Sequence, residues 1–473
     1  MKKFDKVFAI VVVLSLIYSL VFSYLSILRM RSFNAHYYDL GIMHQVVYNT
    51  YKGNLFEFTN PHLSENSLRS AVHFDLMLVP LALFYFIYPS AETLLVVQSF
   101  FLGFSAIFIY LIGKEVLRSR LISVVVVIIY LFYYPIHFIN LFDFHAVSLS
   151  VFFLLAAYYW YLKSGFRLNQ KAFLMLFLAS ITKENIILVA SLFCFFAFLK
   201  SKDKANLISA GVFLLWFLIV IKLLIPLSAD GNFFGSQFYS MSLKQNLNRL
   251  FSNESLDYLV EVFSSLMFLP LVSVSSLFPA VSEFLKNLLS EKGQMRNLYF
   301  HYLSGSVAFL FVSVILSIKK ISSTTFFKQK KDLLNFLLLY LVFFSLFLAF
   351  NKGPLSNIYY DYDQKKYNLI ISLQKKYADY NIKLSSSGIF APFFSGRRYF
   401  YDFSFDPTYF EKIKNNIDII EQYYNYEKAD VVILDESELN NELINKIFEH
   451  MTASGKFVKV FSSNGVLVYE RQK

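Results

Sequence analysis

The stretch HFDLMLVPLALFYFIYPS, His73 to Ser90, decides how the whole chain is threaded. Its apolar core is about fourteen residues, against the roughly twenty that a helix needs to cross a bilayer. Pro80 sits inside it, and proline neither donates to a helical ladder nor leaves room for the preceding turn. The stretch is therefore expected to be re-entrant or to lie along the membrane surface. If it does not cross, Thr93 to Ile112 becomes the second span. The basic KEVLRSR that follows then falls on the cytoplasmic side, where basic loops belong.

That a membrane is involved follows from composition. Of 473 residues, 56% are hydrophobic, 56 are phenylalanine and only 16% are charged, and the mean hydropathy is +0.49. A soluble chain carries about a quarter charged residues. A net charge of +11 would suit nucleic acid, but the lysines and arginines cluster in short loops between apolar runs, as topology requires. No nucleic-acid partner is expected. The single cysteine, Cys194, lies within the apolar SLFCFFAFLK, which leaves no disulfide framework and no thiolate metal site. MKKFDK opens the chain like a signal sequence, but the apolar run after it is too long for a signal-peptide core. It reads as a retained first span, Val7 to Leu28, with a cytoplasmic N-terminus.

From there the runs alternate sides. Leu121–Ile139 leads out, Ala146–Leu162 returns, and Phe173–Ile181 and Ile186–Leu199 form a short pair that meets at TKEN outside. Leu207–Pro226, Tyr302–Ile318 and Leu333–Phe350 follow. The run Val260–Leu289 either crosses twice as half-length helices broken near Pro270 or Pro279, or does not cross. Both counts, nine or eleven, leave the C-terminus outside. After about Asn351 the pattern changes. A helical stretch (YDYDQKKYNLIISLQKKYADY) is followed by strand-like IKLSSS, RRYFYDF and ADVVILD, and then by FVKVFSSNGVLVYER, a hairpin around Ser-Asn-Gly. The expected fold is an α-helical polytopic membrane domain over 1–350 and a small extracytoplasmic α/β domain over 351–473.

On this threading the polar clusters share one leaflet. Asp39, His44 and Gln45 lie in the first outer segment, and Arg69, His73 and Asp75 where it re-enters. Asp143 and His145 occupy the next outer turn, Lys183 and Glu184 the third, and His301 the outer start of a later span. Ionisable groups near membrane depth cost several kcal/mol unless paired or hydrated, so they mark function by default. Ordinary roles exist for each. Asp39 suits a helix cap, His73 and Asp75 an interfacial rim, Asp143 and His145 a plain loop, and Lys183 and Glu184 a solvated ion pair. Such side chains also suit a hard divalent ion, although no pair has helical metal-ligand spacing.

The motif order YYDLGIMHQVVYNTYKG, HFDLMLVPLALFYFIYPSAETLLVVQ, LIGKEVLRSR, NLFDFHAVSLS, LASITKENIILVA and RNLYFHYLSGSVAFLF resembles the predicted membrane proteins of the domain-of-unknown-function 2079 family across nearly the whole chain. Three departures stand out. The family's HFxP lacks its proline here, the first one following only at Pro80; its DFHPE is DFHAV; and its KED ends in Asn185. That family is similar in layout to GT-C glycosyltransferases, which draw sugars from polyprenyl-phosphate donors. The resemblance implies a GT-C-like membrane domain with about 9–11 transmembrane helices plus re-entrant or juxtamembrane helices. It also implies residence in the plasma (inner) membrane and transfer of a sugar to an extracytoplasmic glycan, lipid or protein acceptor.

In that chemistry Asp39 would be the general base, and Lys183, Arg69 and His73 would hold the phosphate. Asp75, Asp143, His145 and Glu184 would orient the sugar or those cations, and His44, Gln45 and His301 would line the substrate site. No cofactor is assigned, and a divalent metal stays open. The competing expectation is a transporter or lipid-handling protein, suggested by the proline-broken run near Pro270 and Pro279.

Overall fold

The structure is a computed structural model, and it describes residues 5–61, 65–229, 239, 242–403 and 424–472. The deciding stretch does not span. Leu78–Leu81 makes one helical turn and Ala82–Phe86 a 3-10 segment. Together they advance about 16 Å, roughly half of a 30 Å hydrocarbon core.

The chain divides into two compact units. The first comprises 1–25, 70–77 and 96–358; the second comprises 26–69, 78–95 and 359–473. The sequence pattern draws its boundary at 350/351 and leaves 26–69 and 78–95 with the spans, whereas in the structure these segments group with the tail.

Among the described residues, seven helices are long and apolar enough to cross a membrane. They are Lys6–Arg31, Ala91–Leu117, Ala146–Lys163, Glu184–Ser201, Lys204–Ser228, His301–Ser322 and Asp332–Asn357. The pair Arg120–Leu131 and Tyr134–Leu141, bent by 47°, is apolar enough to make either an eighth, broken span or a re-entrant loop. The bend has a local cause: Pro135 starts the second helix, where a missing N–H costs nothing, and the His137 ring bonds the Leu131 carbonyl that the break releases (2.7 Å). The short apolar helix Gln170–Ser180 accounts for the ninth apolar run.

The run Val260–Leu289 yields no helix long enough to cross. Left-handed Met267 and Phe268, then Pro270 and Pro279, cut it into short pieces that end in the helix Val281–Leu289. At the centre of this unit lies His301–Ser322, 89% buried over its apolar window, against 28% for Lys204–Ser228 and for Asp332–Asn357. Its small residues, Ser304, Gly305, Ser306, Ala308 and Ser313, let neighbours approach closely, as helix packing in lipid demands.

The second unit is built on two sheets. β1 (Glu57–Asn60) and β2 (Glu65–Leu68) form an antiparallel ribbon. β3 (Leu384–Ser386), β4 (Phe400–Asp402), β5 (Val431–Asp435), β6 (Phe457–Ser463) and β7 (Val466–Arg471) form a mixed sheet in the order β4-β3-β5-β7-β6. β3 runs parallel to β4 and β5, and β7 antiparallel to β5 and β6. β5, VVILD, is buried throughout, as a central strand covered on both faces must be. Asn464 and Gly465 make the two-residue hairpin turn with positive φ (50° and 71°). The first polar segment is tied to this tail through backbone carbonyls: Gln45 Nε2 donates to those of Arg397 and Arg398 (3.3 Å each), as well as to Thr59 Oγ1 in its own segment (3.0 Å).

Candidate active site

In the membrane unit, stretches far apart in sequence meet at the ends of the helices. Glu184 opens its span, where the helix dipole favours an acid. Its carboxylate takes the His73 ring at 2.9 Å through Oε1 and the Phe74 N–H at 3.0 Å through Oε2. Met77 N–H donates to the Ile181 carbonyl (2.8 Å), so the segment before Pro80 is stitched to the TKEN turn at both its polar and its backbone groups.

The Asp143–His145 turn is held by a residue that the sequence pattern does not single out. Gln98 donates to the Asp143 carbonyl (2.8 Å) and accepts from the His145 N–H (2.9 Å) and the Ser148 hydroxyl (2.7 Å). Asp143 sits at φ 52°, in the left-handed region that Asp tolerates better than most residues. This turn delivers the His145 ring onto that of His301, stacked at 3.6 Å between centroids. His301 is 6% exposed, and both its ring nitrogens are buried without a hydrogen-bond partner among the described residues.

One small cavity lies beside these groups, lined by Val147, Lys183, Asn185, Glu283, Lys286, His301 and Tyr302. Lys183 and His301 are thus brought together. His73, Asp75, Asp143, His145 and Glu184 do not line it, and Asp75 is buried at 3% exposure. Asn185, Glu283 and Lys286 escape a sequence reading because two of them lie on Val281–Leu289, inside the run whose proline breaks hide its periodicity. Their signal is charge on an apolar run: VSEFLK places an acid and a base three apart, on one helical face. Tyr239 belongs here as well. Burial, then the carboxylates of Glu283 and Glu184, push its phenol upward, so it stays a donor.

In the second unit Asp39 lies on a π-helical turn, Tyr37–Gly41, that feeds directly into the helix Ile42–Tyr51. The caps are His36 and Gly41, so Asp39 does not serve as a helix cap. It is half-buried. Gly41 lets the turn press against neighbours: a Cβ there would lie 3.0 Å from the Tyr37 ring and 3.1 Å from Ala391 Cβ.

His44 is buried and shares a hydrogen bond with the Tyr85 hydroxyl (2.8 Å). Burial holds its ring down to about 3, so it is neutral at physiological pH. Gln45 accepts from the Thr59 N–H (3.2 Å) in addition to its three donations. Arg69, buried, lies over the Phe58 ring at 5.7 Å. Among the described residues, no three His, Cys, Asp or Glu side chains converge into a metal-binding group.

Similarity to known proteins agrees with this architecture. Residues 29–468 match the family described as "Predicted membrane protein (DUF2079)". Among curated proteins the sequence has no match. Among solved structures it is similar to apo ArnT from Cupriavidus metallidurans, at TM-score 0.55 and 11% identity, covering 97% of each chain. The same protein bound to undecaprenyl phosphate gives 0.51 and 11%, again over 97% of each chain. The archaeal oligosaccharyltransferase AglB from Archaeoglobus fulgidus, in complex with an inhibitory peptide and a dolichol-phosphate, gives 0.50 and 12%, over 97% of this chain and 74% of that one. At these identities the likeness is one of fold alone.

Proposed function

The chain belongs to the DUF2079 family of predicted membrane proteins, and from that premise we propose that it is a glycosyltransferase taking sugar from a polyprenyl-phosphate-linked donor. The observation that carries the reading is the meeting, in the membrane unit, of His73, Lys183, Glu184, His145 and His301 from four separate stretches. A lipid-linked phosphate lies at membrane depth, and there a few preorganised cations and donors are worth far more than in water. Two of the GT-C structures similar to this one were solved with undecaprenyl phosphate or dolichol-phosphate bound.

Asp39 is the proposed base, taking the acceptor hydroxyl proton as the sugar is displaced from phosphate. Lys183, Arg69 and His73 hold the departing phosphate, and the remaining acids and histidines orient sugar and cations. The chain sits in the plasma membrane with its N-terminus cytoplasmic and its tail outside. That orientation is supported by Lys114, Arg118 and Arg120 between the second and third spans, and by Lys319 and Lys320 at the end of another.

The test uses the full-length chain in nanodiscs, given polyprenyl-phosphate sugars extracted from bacterial membranes together with a membrane-glycan acceptor fraction. Release of polyprenyl phosphate with labelled sugar on the acceptor is the expected result, reduced about 10²-fold or more by Asp39→Asn at unchanged expression. Full activity of Asp39→Asn removes it as base. Solute uptake into proteoliposomes lacking any such donor would instead establish a transporter.

A further inference from the structure

Outside the residues already given roles, one charged cluster is built too carefully to be surface decoration. Glu283 is 1% exposed, yet its carboxylate is fully engaged. Asn185 Nδ2 donates to Oε1 and Lys286 Nζ to Oε2, both at 2.7 Å. A buried carboxylate is expensive unless paired in this way. Behind it stands Gly305 of the central span, where a Cβ would fall 2.8 Å from both Cγ and Oε2 of Glu283, so only a glycine leaves room for this carboxylate. In front, Asn185, Lys286 and Glu283 line the same cavity as His301, whose two buried ring nitrogens have no protein partner among the described residues. Lys286 uses one of its three N–H groups on Glu283, and its side chain is 20% exposed.

We propose that Glu283 and Asn185 are positioning residues that aim the Lys286 ammonium at the lipid-carrier phosphate, with His301 donating beside it. This rests on the glycosyltransferase reading and extends it, because none of Asn185, Glu283, Lys286 and Gly305 enters that assignment. The ammonium keeps its Glu283 bond and offers its other N–H groups to the phosphate oxygens. A fixed counter-ion spares the entropy of ordering a long flexible side chain when the ligand arrives.

The experiment measures binding of radiolabelled undecaprenyl phosphate to the full-length chain in nanodiscs, with undecaprenol, the same lipid lacking phosphate, as control. Lys286→Met is expected to weaken undecaprenyl phosphate about ten- to hundredfold and to leave undecaprenol unchanged, as loss of a charge-assisted contact should. Lys286→Arg restores part of the loss. Glu283→Gln and Asn185→Ala weaken the phosphate lipid through Lys286, so either one combined with Lys286→Met adds nothing further. Gly305→Ala, which removes no charge but crowds the Glu283 carboxylate and the Ile186 side chain, weakens the phosphate lipid in the same way as Glu283→Gln.

Wild-type affinity in Lys286→Met, or losses that add in the double variants, overturns the positioning role. If Glu283→Gln fails to fold, Asn185→Ala and Gly305→Ala decide the matter by the same measurement. A wild-type chain that prefers undecaprenyl phosphate no better than undecaprenol would sink the glycosyltransferase reading instead. Inorganic phosphate binding as tightly as the lipid phosphate would overturn the lipid assignment.

Discussion

At the scale of single residues, burial decides which charges can titrate. Glu438 lies beyond β5, and its carboxyl is pushed up to about 7, from 4.5, first by burial and then by Asp435, against the opposing hydrogen bond from Ser387. Folding therefore takes up a proton at this position. The stabilisation is fully present below pH 4.5 and is lost as pH rises through 7. Lys366, the cation nearby, is already committed to Asp435, which also accepts the Ser437 N–H (2.9 Å), so it offsets the new charge only in part. Between pH 5 and pH 8 the wild-type melting temperature is expected to fall by about 2–4 °C more than that of Glu438→Gln. Parallel pH profiles in scanning fluorimetry would show that Glu438 does not titrate in this range. His44 behaves in the opposite sense. Its ring stays neutral down to about 3, so it is a hydrogen-bond partner of Tyr85 and not a proton carrier at neutral pH.

At the scale of elements, the spans that the sequence shows best are those with the simplest chemistry. Ala91–Leu117 reads as a span because twenty-odd apolar residues admit nothing else. How it packs is written in single residues. A Cβ on Gly103 would overlap Ser19 Oγ and lie 2.8 Å from the Ser15 carbonyl, so this helix touches Lys6–Arg31 backbone to backbone. Gly103→Leu must push the pair apart, at a cost of about 1–3 kcal/mol. The expected outcome is a lower melting temperature in detergent with unchanged insertion; an unaffected melting curve would mean that the two helices do not depend on this contact.

Elements whose sequence misleads are those where a break carries meaning. Val260–Leu289 looks like failed spans, but its breaks set the short helix bearing Glu283 and Lys286 at the cavity. β1 and β2, EFTN and ENSL, are too short and polar to announce themselves. Their pairing is specified by partners distant in sequence, such as the Tyr37 hydroxyl on the Thr59 carbonyl (3.0 Å) and the Phe400 N–H on Thr59 Oγ1 (3.1 Å).

At the scale of the whole molecule, the fold class was legible and the grouping of segments was not. Hydropathy reports what leaves water, and charge reports which end faces which side. Neither reports which polar loop satisfies which backbone. The segment with the DLG motif belongs with the tail because its polar groups are used there. Tyr380 donates its hydroxyl to Asn49 Oδ1 (2.8 Å) and accepts from Asn54 Nδ2 (2.7 Å), Gln45 bonds the Arg397 and Arg398 carbonyls, and Gly41 presses on Ala391. Arg397, buried at 3% exposure, in turn donates to the carbonyls of Phe394, Tyr377 and Ile382. Ending the chain after Ile358 would remove all of these partners while leaving every candidate span in place. Buried amides and hydroxyls left unpaired cost about 1–3 kcal/mol each, more than so small a segment can bear. The truncated chain is expected to insert into membranes but to expose residues 37–69 to protease and to rapid hydrogen exchange. Unchanged protection of Ile42–Tyr51 would show that the motif helix is held without the tail, and the tail would then have to be treated as an independent domain.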